Sequence, residues 1–407
     1  MAATLAFGSG ERVFLPGGSG TPGSIGTQVL GAPGVSVTAS YIPGINQISP
    51  EAIGPGTTLT GFFMFPPLGD AQRARRFRHL PISYAAILRW LQGQEPFDSC
   101  VVQLSKPRKD GRASLGPAAE FTPTVLRCAK RIIGVVNRRV PFVENAPSIP
   151  IGECTEVIEL DEPLVTYGAG DVDPVSRKVA ARVAPLIADG AALQLGLGKV
   201  PTALTGLLHD RRGLRLHSGM LSEGVMELAA AGALDREWEH MTTMFLGSPT
   251  LYEWLAHPNG IRLCGCEQTH DPRRLGVIER FVAVNTALSV DLFGQCNLET
   301  AGGRALSGAG GAPDFARAAR LSPGGISIVA LPATGGANQN SRIVSNLGSG
   351  GLATLARTEV DVIVTDEGVA DLRGRSVVER AEALIEVASP SARSQLSTEW
   401  REIVGRL

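Results

Sequence analysis

The chain has 407 residues, with 38 Lys plus Arg against 39 Asp plus Glu and a formal charge of -1. Balanced charge excludes a protein held to nucleic acid or an anionic membrane by charge alone, and the length suits two or three domains with a full core. Charged residues are only 19% and glycines number 49, well above the usual ~7%, so much of the backbone needs glycine's freedom.

The six cysteines, at 100, 128, 154, 264, 266 and 296, are scattered in a chain too long to need a disulfide framework, which predicts a reducing, cytoplasmic setting. Cys264-Gly265-Cys266 lacks a second pair at zinc spacing, although His270 follows, so no metal is expected. The opening MAATLAFGSGERVF has no basic start before an apolar stretch, and no uncharged apolar run approaches ~18 residues, so neither a secretory signal nor a membrane span is expected.

In chain order, apolar runs predict strands at 12–15, 100–104, 131–136, 192–197, 214–217, 281–284, 326–331 and 361–365. Helical spacing lies between several of them, as at Val377, Ala381, Leu384, Ile385 and Ala388. Alternation of this kind predicts α/β architecture with mainly parallel sheets, whose ligands sit at the carboxyl ends of the strands. RVFLPGGSGTPGSIGTQVL reads as strand, glycine turn, proline and helix, and about 180 residues later ALQLGLGKVPTALTGLL reads the same way. Two tandem open α/β domains are therefore expected, over 1–180 and 181–407. Gly18, Gly20 and Gly23 spell GxGxxG, but no acid lies between Glu11 and Glu51 to hold a ribose, so a turn closing strand onto helix is preferred to a dinucleotide site. The basic run RARRFRH at 73–79 predicts a solvated helix face or subunit contact.

The densest chemistry lies at 284–315, VNTALSVDLFGQCNLETAGGRALSGAGGAPDF, where a strand ends near Asp291 and glycines follow at 294, 302, 303, 308, 310 and 311. Glycines let backbone N–H groups converge into a nest for an oxyanion or phosphate, which suits a thioester carbonyl. Asp314 is expected to cap the helix that follows.

These residues, with NSRIVSNL and VTDEGVADLRGRSVVERAEALIEVASP, resemble the acetyl-CoA hydrolase and CoA-transferase family, especially its 4-hydroxybutyrate or butyrate:acetate CoA-transferase branch. LSKPRKDGRASLG, AKRIIGVVN and LHSGMLSEGVMEL resemble further motifs of that family, so the likeness runs from about residue 10 to the end. The resemblance implies the CoA-transferase fold and a CoA thioester as substrate with no bound cofactor. It also implies an active-site glutamate that attacks the thioester and becomes glutamyl-CoA. It places that glutamate in a segment like NSAIEVDLxGQV, where this chain has NTALSVDLFGQC and hence Ser289. Two further departures are Gly219 in LHSGM, where the family commonly has glutamate, and Glu367, where tyrosine is usual.

The resulting expectation is an acyl-CoA acyltransferase or hydrolase without a glutamyl-CoA intermediate at position 289, moving an acyl group to a small non-carboxylate acceptor or water. The thioester is carried by CoA or by a carrier protein. Ser289 is the candidate nucleophile or pocket residue, His217 its base, and Glu299 an orienting carboxylate. Gly308, Ala309, Gly310 and Gly311, with Gly294 and Arg342, form the expected oxyanion and CoA site; Arg373 and Lys199 are weaker CoA contacts. A homodimer with no nucleic-acid or membrane partner is expected. The alternatives are a conventional CoA-transferase or acetyl-CoA hydrolase using Glu299 or Glu223, and an inactive CoA-binding protein.

Overall fold

The computed structural model describes residues 5–336 and 338–406. All eight strands expected from the sequence form, and all lie in two large sheets. They were legible because strands buried on both faces read as continuous apolar runs: every residue of Ser99–Leu104, Phe281–Asn285 and Ile326–Ala330 is buried. The strand expected at 214–217 instead runs Arg215–Leu221, continuing through Gly219 as it pairs with His240–Phe245.

The two sheets repeat one topology. In the first, Arg12–Leu15 is central. Ser36–Ala39, Thr58–Gly61 and Phe77–His79 add in turn on one side, and Ser99–Leu104, Arg131–Asn137 and Glu156–Leu160 on the other, all parallel. In the second, Ala192–Leu195 is central. Arg215–Leu221, His240–Phe245 and Ile261–Leu263 follow on one side, and Phe281–Asn285, Ile326–Ala330 and Val362–Val364 on the other. Val369–Asp371 closes that edge antiparallel. Each sheet thus reverses its strand order beside its first strand, the position where open α/β sheets bind ligands. The basic run at 73–79 differs from its expected helix face: it supplies the end of a short helix, Gly69–Arg73, and the edge strand Phe77–His79.

The sheets are joined by backbone as well as by packing. Residues 117–120 run along the second sheet, where Phe245 N donates to Pro117 O at 2.8 Å, Ala119 N to Thr243 O at 2.9 Å, and Cys266 N to Glu120 O at 2.9 Å. The turn after the first strand serves this junction: Ser19 Oγ donates to Phe245 O at 2.7 Å, and a Cβ on Gly18 would lie 2.2 Å from Met244 Sδ. The space over that glycine turn is therefore filled by protein. One apolar core is continuous between Val102 and Leu104 of the first sheet and Leu193 and Val284 of the second. A third unit pairs Ser289–Asp291 with Cys296–Asn297 and Ile343–Val344. It packs with the helices Val377–Glu386 and Pro390–Val404 around Trp400 and Leu384. Among the described residues no helix is long and apolar enough to cross a membrane.

Candidate functional site

At the order reversal of the second sheet, a cleft of about 390 Å³ opens between it and loops of the first. The carboxyl ends of two adjacent strands supply Gln194, Gly196, Asn285 and Thr286, Gly219 enters from the next strand, and Phe63, Tyr84 and Tyr167 come from the first sheet's side. Gly308, Ala309, Gly310 and Gly311 close it. None of their four N–H groups donates to another described backbone group, and they precede the ten-residue helix Ala312–Leu321, whose amino end adds a favourable field for negative charge. Gly310 has φ +58°, a left-handed conformation. A Cβ on Gly311 would lie 2.6 Å from His270 Nε2.

Asp314 does not cap its own helix. That helix begins at Ala312 with Gly311 at the cap position, which puts Asp314 in the first turn. Its carboxylate accepts from Ser83 Oγ at 2.8 Å and Ala85 N at 2.9 Å, the amino end of the Tyr84–Gln92 helix. Tyr84 N in turn donates to Gly310 O at 3.1 Å. The glycine loop and Tyr84 are therefore fixed to each other across the junction of the two sheets.

Behind the cleft wall lies a buried carboxylate. Tyr84 hydroxyl donates to Glu120 Oε1 at 2.7 Å, and Ser40 Oγ donates to Oε2 at 2.5 Å. Burial raises the Glu120 carboxyl to about 7, against the opposing pull of the Ser40 and Tyr84 hydrogen bonds. Glu120 also holds a left-handed backbone with φ 44°, strain that a glutamate adopts only when its surroundings enforce it. The His270 ring lies between Tyr84 and Phe315, at centroid distances of 4.9 and 4.6 Å. Thr269 Oγ1 is 2.9 Å from its Nδ1, and burial lowers its pKa to about 3, so it is neutral.

Comparison with known proteins identifies the family. The chain is 34% identical over 313 residues to the 4-hydroxybutyrate coenzyme A transferase of Clostridium kluyveri, covering 75% of this chain and 73% of that protein. Residues 247–400 match the acetyl-CoA hydrolase/transferase C-terminal domain. The chain belongs to the acetyl-CoA hydrolase/CoA-transferase family. Its members among the relatives include an acetyl-CoA hydrolase of Neurospora crassa, 26% identical over 71% of this chain and 62% of that protein. The fold agrees: the RipA crystal structure from Yersinia pestis has a TM-score of 0.87 at 26% identity, covering 98% of this chain and 95% of that one. A 4-hydroxybutyrate CoA-transferase from Porphyromonas gingivalis has 0.78 at 27%, covering 97% and 94%.

Within this CoA-transferase fold the expected site residues divide. Gly308, Ala309, Gly310 and Gly311 line the cleft together; Ser289 does not join them. It lines a separate outer cavity of about 700 Å³ with Asn297, Arg342 and the glycines at 302, 303, 350 and 351. There its Oγ accepts from Asn297 Nδ2 at 3.3 Å. The reason is the local fold: the chain leaves the cleft at Thr286 and turns into the small third unit before reaching 289, so Leu298 faces the cleft while Asn297 and Thr300 face outward. His217 is not available to Ser289 or to the glycine loop. It is buried under Thr269, whose carbonyl is 3.0 Å from its Nε2, and desolvation lowers its pKa to about 4; what exposure it has is to a third cavity with Trp238 and Arg274.

The remaining candidates are engaged elsewhere. Glu299 is buried and its Oε1 accepts from Thr354 Oγ1 at 2.9 Å, lining neither cavity. Gly294 forms the Asp291–Gln295 turn, its N donating to Asp291 O at 2.9 Å. Arg342 lies in the outer cavity, against Gly335. Arg373 pairs with Asp371 at 2.7 Å, and Lys199 with Asp173 at 3.3 Å on the surface. Glu223 accepts from Ser248 N at 2.5 Å.

Of the three departures from the family pattern, only Gly219 lies in the cleft. A Cβ there would sit 3.2 Å from His270 Nε2, beside Gly311. His270, which the sequence marks only as following Cys264-Gly265-Cys266, and the Tyr84–Glu120 pair are the groups that the motifs did not single out. The available signals were SLGPAAEF, which carries Glu120, and the nearness of His270 to Cys264-Gly265-Cys266.

Proposed function

We propose that this protein cleaves an acyl-CoA thioester in the cleft between its sheets, passing the acyl group to water or a small non-carboxylate acceptor without a glutamyl-CoA intermediate. The observation that carries this reading is Gly219. It is the one departure from glutamate that faces the unpaired N–H groups of Gly308–Gly311, and the cleft lining includes no carboxylate among the described residues. The nucleophile's place is thus assigned to 219 rather than 289, and neither position carries an acid. Use of Glu299 or Glu223 instead is disfavoured, since both carboxylates are held outside the cleft.

With no covalent carboxylate, the attacking hydroxyl needs a base, and the geometry favours the Tyr84–Glu120 pair. The acceptor oxygen adds to the thioester carbon, its proton passes to Tyr84 Oη, and the Tyr84 proton passes to Glu120. The oxyanion takes hydrogen bonds from the glycine loop. Collapse breaks the C–S bond, and the departing thiolate recovers the proton along the same route. A carboxyl titrating near 7 is matched to this task at neutral pH. A carrier protein's phosphopantetheine would present the same thioester; we assign CoA because the relatives' names specify it.

We also take residues 1–180 and 181–407 as two domains, which the matching strand orders support. The exposed Val277 and Leu321 support a homodimer, and the scattered free thiols a cytoplasmic setting. Incubation with acetyl-, butyryl- and longer acyl-CoAs, following free thiol with and without alcohol acceptors, tests the reaction. Thiol release that needs no free carboxylic acid is expected; unchanged thioester in every case would sink the proposal.

A further inference from the structure

The second sheet has another cavity, at the end opposite the cleft. About 440 Å³ in volume, it opens where the strands Arg215–Leu221, His240–Phe245 and Phe281–Asn285 begin. The thioester chemistry assigned to the cleft makes no use of it. His217, only 3% exposed, borders this cavity. Its Nε2 lies 3.0 Å from the Thr269 carbonyl, so Nε2 carries the ring proton and Nδ1 is an acceptor. That Nδ1 has no hydrogen-bond partner among the described residues, and it is open to the cavity rather than enclosed. The Trp238 indole N–H, on another wall, is buried and likewise unpaired.

The charges here lean positive. Arg215 donates to the carbonyls of Gly190 and Glu279 and lies over the Trp238 ring at 4.8 Å, so backbone and ring hold it rather than a carboxylate. Arg274 is exposed, and its charge adds to burial in lowering the His217 pKa. Of the two carboxylates in the lining, Glu239 is held by Arg262 at 3.0 Å, which leaves two guanidiniums against Glu279. Trp238, Met241 and Ile278 supply apolar walls, with Val277 beside them. An unpaired acceptor calls for a donor, and the guanidinium excess with an idle indole N–H calls for an anion. Aromatic and thioether walls suit a flat ring, and a cavity of this size suits a mono- or bicyclic ligand.

His217 also ties this cavity to the cleft. It holds the carbonyl of Thr269, whose Oγ1 is 2.9 Å from His270 Nδ1. His270 lies against the glycine loop, where a Cβ on Gly311 would come within 2.6 Å of Nε2. We propose that this cavity is an effector site for an aromatic carboxylate bearing a ring hydroxyl or ring N–H, and that its occupant, by engaging His217, changes how the cleft holds a CoA thioester. The assignment is independent of how that thioester is cleaved.

Calorimetry on the whole protein tests it with indole-3-acetate and 4-hydroxyphenylacetate as probes. The controls are N-methylindole-3-acetate and 4-methoxyphenylacetate, which lack the donor, and the matching ethanols, which lack the charge. At least one acid is expected to bind about fivefold or more tightly than its controls. Arg274→Glu changes an exposed residue remote from the cleft; it should weaken that acid about tenfold or more and leave binding of the inert thioether S-butyl-CoA within about twofold. Saturating acid should shift the affinity for S-butyl-CoA about fivefold or more, and the thioether should shift the acid by the same factor. No binding of either acid at about 1 mM, binding that Arg274→Glu leaves unchanged, or binding of acid and thioether without mutual effect would each overturn the proposal. Sedimentation of the same samples covers the homodimer, which also draws on Val277: a dimer that takes up the acid only after Val277→Asp separates it would make the cavity a subunit interface and overturn the effector role.

Discussion

Glu120→Gln removes a carboxyl whose pKa is raised by burial, while preserving its shape. In the native protein the group titrates near 7 instead of at the ordinary glutamate value of 4.5. At about 1.4 kcal/mol per factor of ten, that difference is worth about 3 kcal/mol. Because the folded pKa is the higher one, the contribution is fully present below about pH 4.5 and is lost as pH rises through about 7. The groups facing Glu120 do not mask this: Tyr84 and Cys266 are pushed far above their ordinary values by burial, and His270 stays neutral. Urea unfolding followed by tryptophan fluorescence should therefore show wild type and Gln variant nearly equal at pH 4.5, and the variant about 3 kcal/mol more stable at pH 8, less about 1 kcal/mol for a rearranged hydrogen bond to Ser40 or Tyr84. The same variant should lose about 10²–10⁴-fold in thiol release and its rise in rate through pH 7. Equal stability at both pH values, or an unchanged pH–rate profile, would refute the assignment of Glu120 as the poised carboxyl.

Other perturbations bear on the same geometry. Gly219→Glu should create CoA exchange between an acyl-CoA and a free carboxylate, measured with labelled acetate, while costing about 1–3 kcal/mol because the added Cβ would lie 3.2 Å from His270 Nε2. Gly311→Ala puts a methyl where His270 Nε2 lies 2.6 Å away, so thiol release should fall at least about tenfold. Asp314→Ala removes the acceptor for Ser83 and Ala85 and should lower stability by about 2 kcal/mol together with kcat, both read on one preparation. Ser289→Ala, whose hydroxyl lies in the outer cavity, should leave thiol release within about twofold.

The sheets were readable from sequence where strands are continuous apolar runs, and unreadable where polar residues interrupt them, even inside a sheet: His240–Phe245 is wholly buried yet carries His and two Thr. Ser36–Ala39 and Thr58–Gly61 are four-residue strands rich in Ser and Thr, and Phe77–His79 is interrupted by arginine, so neither a long apolar run nor clean alternation marks them. The repeat of strand, glycine turn and helix was legible because both copies keep it, and the strand orders repeat with it. The glycine loop was equally plain. What sequence order concealed was distance: Ser289 lies about 20 residues from Gly310 in sequence yet in a different cavity, whereas Gly219 is far away in sequence and shares the cleft. Glu120 and Tyr84 are separated by 36 residues and meet only because one lies on a strained loop and the other on a helix held by Asp314. His217 looked suited to catalysis at the end of a strand, but that strand continues past it and buries it.

The reaction proposed for this protein is cleavage of a thioester without a carboxylate nucleophile. Its most direct test is to incubate the protein with acyl-CoA, add borohydride or hydroxylamine, and map the peptides while following free thiol. Thiol release with every glutamate unmodified is expected. A reduced or hydroxamate-bearing glutamate, formed in step with CoA exchange into free acetate, would contradict it.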